Sequence, residues 1–124
     1  PLYASSVKAG FPSPADEYIE SHLDLNTYCI THPAATFFVR ASGDSMIKAG
    51  ISDGDLLIVD RSLDPTHGKI VIAAIEGDLT VKRLYCQKGV VELRPENDAY
   101  APIPLKEDIA LVIWGVVIHS LRSF

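Results

Sequence analysis

A serine in a small polar loop and a lysine inside an apolar strand are the residues whose types and spacing suggest chemistry. The serine is Ser45, in the run Ser42-Gly43-Asp44-Ser45-Met46; the lysine is Lys82, in Thr80-Val81-Lys82-Arg83-Leu84, 37 residues further on. A third stretch, Ala9-Gly10-Phe11-Pro12-Ser13-Pro14, offers a peptide bond between two small residues with prolines after it. Together they read as a nucleophile, its base and a bond to cut. A serine hydroxyl is a weak nucleophile until another group takes its proton. Lysine can take it only when neutral: an exposed lysine, with a pKa of about 10.4, is a poor base at pH 7. Burial disfavours the charged form and lowers that value.

Each of the three has a plainer reading. A serine at the end of a polar loop is commonly a helix N-cap, its oxygen accepting a backbone N–H. In Leu79 to Leu84 the strand period puts Thr80, Lys82 and Leu84 on one face and Leu79, Val81 and Arg83 on the other. Taken alone, this strand favours a Lys82 that points to solvent or snorkels from a half-buried position. Ala9-Gly10 alone is a flexible terminal arm. The usual base for serine is histidine, but none of His22, His32, His67 and His119 sits in a motif that pairs it with Ser45. A Ser-His-Asp triad is defined by geometry rather than chain order, and so stays open at this level.

The elements that must hold these residues are mostly strands. Residues 1–12 read as an N-terminal arm. Ser13 followed by Pro14 predicts a helix from Pro14 to about His22, with Asp16 and Glu17 at its positive end and Tyr18 and Ile19 inward. Asp24-Leu25-Asn26 reads as a turn. Thr36 to Ala41 is β-branched and aromatic, hence a strand. Met46 to Ala49 predicts one helical turn ended by Gly50, and Asp53-Gly54 another turn. Asp55 to Asp60 is a buried strand. Lys69 to Ile75 and Leu79 to Tyr85 flank a hairpin turn at Glu76-Gly77-Asp78. Val90 to Arg94 is a strand, Asn97 to Pro104 a loop, and Ile109 to Leu121 one or two strands around Gly115. Strands at this spacing predict a compact, mostly β domain over residues 13–124, with one or two short helices.

Bulk properties narrow the function. The chain has 124 residues, 48% of them apolar, enough for one domain with a modest core. A net charge of −5 with scattered basic residues argues against direct nucleic-acid binding. Cys29 and Cys86 have no zinc-type spacing and read as reduced, at least partly buried thiols of a cytoplasmic protein. No cofactor or metal site is expected. No run is long enough for a membrane span and no signal peptide is visible.

Five motifs, in order, carry a resemblance: Ala9-Gly10-Phe11-Pro12-Ser13-Pro14, Ser42-Gly43-Asp44-Ser45-Met46, Asp53-Gly54-Asp55-Leu56-Leu57-Ile58-Val59-Asp60, Thr80-Val81-Lys82-Arg83-Leu84 and Trp114-Gly115-Val116-Val117. From about Ala9 to the C-terminus the chain resembles the UmuD/MucA group of LexA-type self-cleaving proteins. The resemblance implies the β fold shared by LexA C-terminal domains and signal peptidases, with a serine/lysine dyad. Ser45 matches the nucleophile, Lys82 the general base and Ala9-Gly10 the scissile bond. It further implies the bacterial SOS response: cleavage stimulated by the RecA filament on single-stranded DNA. The trimmed homodimer then serves a UmuC-type, Y-family translesion polymerase.

Ala9 precedes Gly10 as alanine does in LexA, whereas UmuD itself has cysteine there; a small residue is kept. Only eight residues precede Ala9, and the first is not methionine. Room for a helix-turn-helix is lacking, which favours the polymerase subunit over a complete repressor. A C-terminal fragment of a LexA-type repressor would look similar. A non-catalytic dimeric scaffold, paired through Ile109 to Ile118, is the reading in which the dyad is idle. A signal peptidase would share the dyad, but the lack of a membrane span weighs against it.

Overall fold

The structure, a computed structural model, describes residues 1–12, 14, 17–106 and 109–124. It divides into two compact units, Pro1–Thr31 and His32–Phe124.

In the first unit, strand β1 (Leu2–Tyr3) pairs antiparallel with β2 (Ile19–Ser21), and Ala4 N–H donates to Tyr18 O. The segment between them carries Ala9 and Gly10, both exposed. The helix expected over Pro14 to His22 is therefore not formed at its C-terminal end. Ser13 and Asp16, its expected cap and first-turn acid, lie outside the described residues. Tyr18 and Ile19 are exposed, not inward. Two adjacent apolar residues make no helical stripe, whereas pairing with β1 satisfies their backbone. The helix comes later, as α1 (Leu25–Cys29), where a turn alone was expected. Asp24 caps it: one carboxylate oxygen accepts the Asn26 N–H at 3.0 Å and the other the Thr27 hydroxyl at 3.2 Å.

The second unit is a seven-stranded antiparallel sheet. Its strands are β3 (Thr36–Arg40), β4 (Leu56–Asp60), β5 (Ile70–Ile75), β6 (Asp78–Gln87), β7 (Val90–Arg94), β8 (Ile103–Pro104) and β9 (Leu111–Leu121), in the spatial order β3-β4-β9-β5-β6-β7-β8. The fold is thus mostly β, as the spacing of strands and turns predicts. Glu76 and Gly77 alone turn the β5–β6 hairpin, and Asp78 already pairs with Ile75. Ile103–Pro104, expected as loop, adds a two-residue edge strand.

Two apolar clusters lie against the sheet. One gathers Ala41, Met46, Ile51, Leu57, Val59 and Ile72; the other Val71, Ala73, Leu84, Leu93 and Val116. Neighbouring residues of β5 go to different clusters, so this strand is covered on both faces. At Gly115 a Cβ would stand 2.7 Å from Val59 Cγ1 and 3.0 Å from Asp60 O, so β9 approaches β4 where only glycine fits.

Strand β9 is continuous through Gly115 and lies between β4 and β5. Its first half, Leu111 to Val116, pairs with β5, and its second half, Val116 to Leu121, pairs with β4. Val112 and Trp114, in its first half, are exposed. Cys29 is half-buried, but Cys86 is exposed. Cys86 pairs with Val91 near the tip of the β6–β7 hairpin, which runs past the core.

Candidate active site

Ser45 and Lys82 meet. Lys82 Nζ lies 3.0 Å from Ser45 Oγ, at a cleft of about 200 Å³ lined by both residues together with Val39, Arg40, Ala41, Ser42, Leu57, Ile72, Leu79, Thr80 and Val81. The wall is mixed: six of these residues are apolar and five, the pair included, are polar or charged.

The local sequence explains the position of each group. Strand β3 ends at Arg40, and Gly43 turns the chain with φ +89, a conformation side chains resist, while its N–H donates to Asp53 Oδ1 at 2.7 Å. Ser45 follows in a tight turn that runs into a 3₁₀ turn, Ile47–Ala49, closed by Gly50. The cap position of that turn is Met46, with no side-chain cap bond. The plainer reading of Ser45, a helix cap, therefore fails: its hydroxyl faces Lys82. Met46, 2% exposed, plugs the first apolar cluster and roots the loop.

Lys82 is not the solvent-facing residue that its strand alone suggests. It is 9% exposed. Strand β6 is interior, between β5 and β7, with Val81 packed on one apolar cluster and Leu84 in the other. Lys82 Nζ also lies 2.9 Å from Thr80 Oγ1 and 3.1 Å from Val81 O. Its near neighbours are neutral oxygens, and none of the ion pairs among the described residues includes it. Burial lowers its pKa from the ordinary lysine value.

Two of the four histidines, His32 and His67, are engaged elsewhere. His32 Nδ1 lies 2.6 Å from Asp60 Oδ2, and His67 Nδ1 accepts the Cys86 N–H at 3.1 Å. Asp60 Oδ1 accepts both the N–H and the hydroxyl of Ser62. This trio has Ser62 on the carboxylate rather than on the imidazole, so it is not a triad. Ala9 and Gly10 belong to the other compact unit, where they are exposed.

Sequence reasoning missed Thr80 as a partner of Lys82, although a hydroxyl two residues away on one strand face was a visible signal. It also missed the segment after β7. Glu96 N–H donates to Ser45 O at 2.8 Å, Asn97 Nδ2 donates to Asp44 O at 2.9 Å, and the Tyr100 hydroxyl donates to Asp44 Oδ1 at 2.5 Å. The run Pro95-Glu96-Asn97-Asp98 signalled only a loop.

A mostly β fold with a serine and a buried lysine facing each other across a cleft defines the class, and comparison with known proteins agrees with it. The chain belongs to the Peptidase S24-like family, whose profile matches residues 1–118, and to the UmuD/MucA group of LexA-type proteins within it. It is 53% identical over 122 residues to Protein ImpA of Salmonella typhimurium, covering 98% of this chain and 83% of that one. Protein MucA of Escherichia coli is 48% identical over 122 residues, with the same coverage. The LexA repressor of Clostridium perfringens is 41% identical over 118 residues, 95% of this chain and 57% of the repressor. Among the described residues no helix is long and apolar enough to cross a membrane.

Proposed function

We propose that this protein is a self-cleaving serine peptidase of the SOS response that cuts its own chain at Ala9–Gly10. The observation that carries the reading is the 3.0 Å separation of Lys82 Nζ and Ser45 Oγ at a cleft of the sheet unit. Neutral Lys82 takes the Ser45 proton as Oγ attacks the carbonyl carbon of Ala9. Backbone N–H groups of the turn around Ser45 hold the oxyanion. Lys82 then returns the proton to the Gly10 nitrogen as the peptide bond breaks, leaving an acyl-serine that water hydrolyses. Ala9 and Gly10 fit such a cleft because small residues let an extended backbone come close. Tethering keeps the substrate at high effective concentration, so no affinity for free peptides is required.

In this reading the RecA filament on single-stranded DNA favours the cleavage-competent state. The trimmed protein is a cytoplasmic homodimer that serves as accessory subunit to a UmuC-type polymerase in error-prone translesion synthesis. The exposed Val112 and Trp114 of β9 supply apolar surface for the second copy.

Intact-mass spectrometry tests the cut. The wild-type protein is expected to lose the Pro1–Ala9 piece on incubation, faster at pH 10 than at pH 7, and the Ser45→Ala variant is expected to keep its mass. Cleavage that persists in Ser45→Ala would refute the dyad. An unchanged wild-type mass at both pH values, with the fold intact, would favour the scaffold reading.

A further inference from the structure

The segment Glu96–Tyr100 touches the turn that carries Ser45 at four points besides the exposed Lys48–Asp98 pair. Glu96 brackets it through its main chain, donating its N–H to Ser45 O and accepting the Lys48 N–H at 2.8 Å each. Asn97 and Tyr100 hold Asp44 by its carbonyl and its carboxylate. The segment is itself braced: Asn97 Oδ1 accepts the Ala99 N–H, and Asn97 O accepts the Tyr100 N–H. Its other attachment is to the strand of the lysine. The Glu96 carboxylate pairs with Arg83 Nε, and Arg83 follows Lys82 on β6 and donates from Nη1 to Gly68 O. One short segment thus grips both the turn of the serine and the strand of the lysine.

We propose that Glu96–Tyr100 is a positioning strap for the Ser45–Lys82 pair, with Glu96 setting the separation of the two elements and Asn97 and Tyr100 fixing the turn through Asp44. This rests on the dyad reading above. The turn needs such a brace. Its own backbone bonds are few: Ile47 N–H to Asp44 O, the 3₁₀ bonds from Ala49 to Met46 O and from Gly50 to Ile47 O, and a longer-range bond from Ile51 N–H to Met46 O. A misplacement of about 1 Å between reacting groups can cost about a hundredfold in rate. The exposed Lys48–Asp98 pair spans the same gap and adds little, since exposed ion pairs are weak.

The test uses neutral changes at the end of the strap away from Lys82. The double variant Asn97→Ala/Tyr100→Phe removes both holds on Asp44. The charges near Lys82 are Arg40 on the cleft wall, Asp44 beside the serine and the Arg83–Glu96 pair, and all of them remain; the one titratable group lost is the Tyr100 phenol, whose pKa Asp44 raises above the ordinary tyrosine value. Self-cleavage is followed by intact mass from pH 7 to pH 11, and the Lys82 ammonium is titrated directly by nitrogen-15 NMR. A strap that positions Ser45 predicts cleavage at least tenfold slower. It also predicts a Lys82 titration moved up toward the ordinary lysine value, because a loosened turn lets water reach Nζ. A residue that only stabilised the fold would leave that titration unmoved in folded protein. Tyr100→Phe alone, at a half-exposed side chain, gives the same reading in smaller measure if the double variant folds poorly. A folded variant with wild-type rate and wild-type Lys82 titration overturns the strap. If wild-type cleavage does not depend on Ser45, the dyad falls, and the Lys82 titration still decides whether the strap positions the turn.

Discussion

Thr80 precedes Lys82 by two residues on β6, and its hydroxyl oxygen lies 2.9 Å from Lys82 Nζ. The strand period makes this contact, since residues two apart share a face. Together with Ser45 Oγ and Val81 O it surrounds the lysine nitrogen with oxygens that carry no charge. These oxygens orient Nζ without the counter-charge that would hold its proton.

The rate of self-cleavage is therefore expected to rise with pH and to level off at a midpoint below the ordinary lysine value of 10.5, because burial depresses the Lys82 pKa. Thr80→Val keeps the shape and removes the hydroxyl. It should slow the plateau rate about five- to tenfold, the cost of one hydrogen bond of about 1 kcal/mol. A mass-spectrometric time course at each pH measures both; a rate independent of pH between 7 and 11 would rule out lysine as the base.

Lys82→Met should reduce cleavage by about 10²–10⁴-fold, the usual range for a positioned general base. It should not cost stability at neutral pH. With a folded-state pKa below the unfolded one, the unfolded chain binds more protons across the interval between them, so the wild type gains stability as pH rises toward 10.5. Methionine removes the buried charge and with it that gain. Thermal unfolding at pH 7 and pH 10 is expected to show a melting temperature in Lys82→Met at least equal to wild type at pH 7, and a flatter pH trend. A large loss at pH 7 would mean that the lysine is a structural contact.

Asp55 should govern unfolding at the acid end. Its side chain is 1% exposed. The Arg122 guanidinium, followed by the Ser52 N–H, holds its pKa far below the ordinary value of 3.8. Asp60 is lowered too, first by the Ser62 hydroxyl and then by His32. Depressed carboxylates stabilise the fold above about pH 4 and lose that contribution as pH falls through their folded-state values. Arg122→Leu removes the main cause at Asp55, so its acid unfolding, followed by the fluorescence of Trp114, is expected at a higher pH than in the wild type. An unchanged acid midpoint would show that the Asp55–Arg122 pair does not contribute.

Gly115→Ala should destabilise the fold by about 1–3 kcal/mol, the range for overpacking. The new Cβ meets Val59 Cγ1 at 2.7 Å and the backbone of Asp60 at 3.0 Å. Denaturant titration measures the change. A neutral result would mean that β9 shifts freely against β4, contrary to its central place in the sheet.

The sequence by itself determined six of the seven strands of the main unit and the turns between them, missing the two-residue edge strand β8. Asp53-Gly54, the Glu-Gly turn before Asp78 and the Gly50 stop are chemical signals carried by single residues, and period-two apolar runs need no partner to be read. Ser45 and Lys82 could be singled out as a candidate pair only in combination with Ala9-Gly10, because each had a plainer local meaning; the structure brings the first two together. The N-terminal segment misled because Ser13-Pro14 is a helix signal without an apolar stripe behind it, while the partner of Ile19 lies far back in the chain at Tyr3. Only the tertiary structure decided that Lys82 is buried. That depends on β6 being an interior strand with apolar clusters on both sides, which no property of residues 79–84 encodes. The hold of Glu96, Asn97 and Tyr100 on the serine turn is likewise long-range. Loop residues carry no periodicity, and their bonds to Asp44 and Ser45 exist only once the sheet has brought the two segments together.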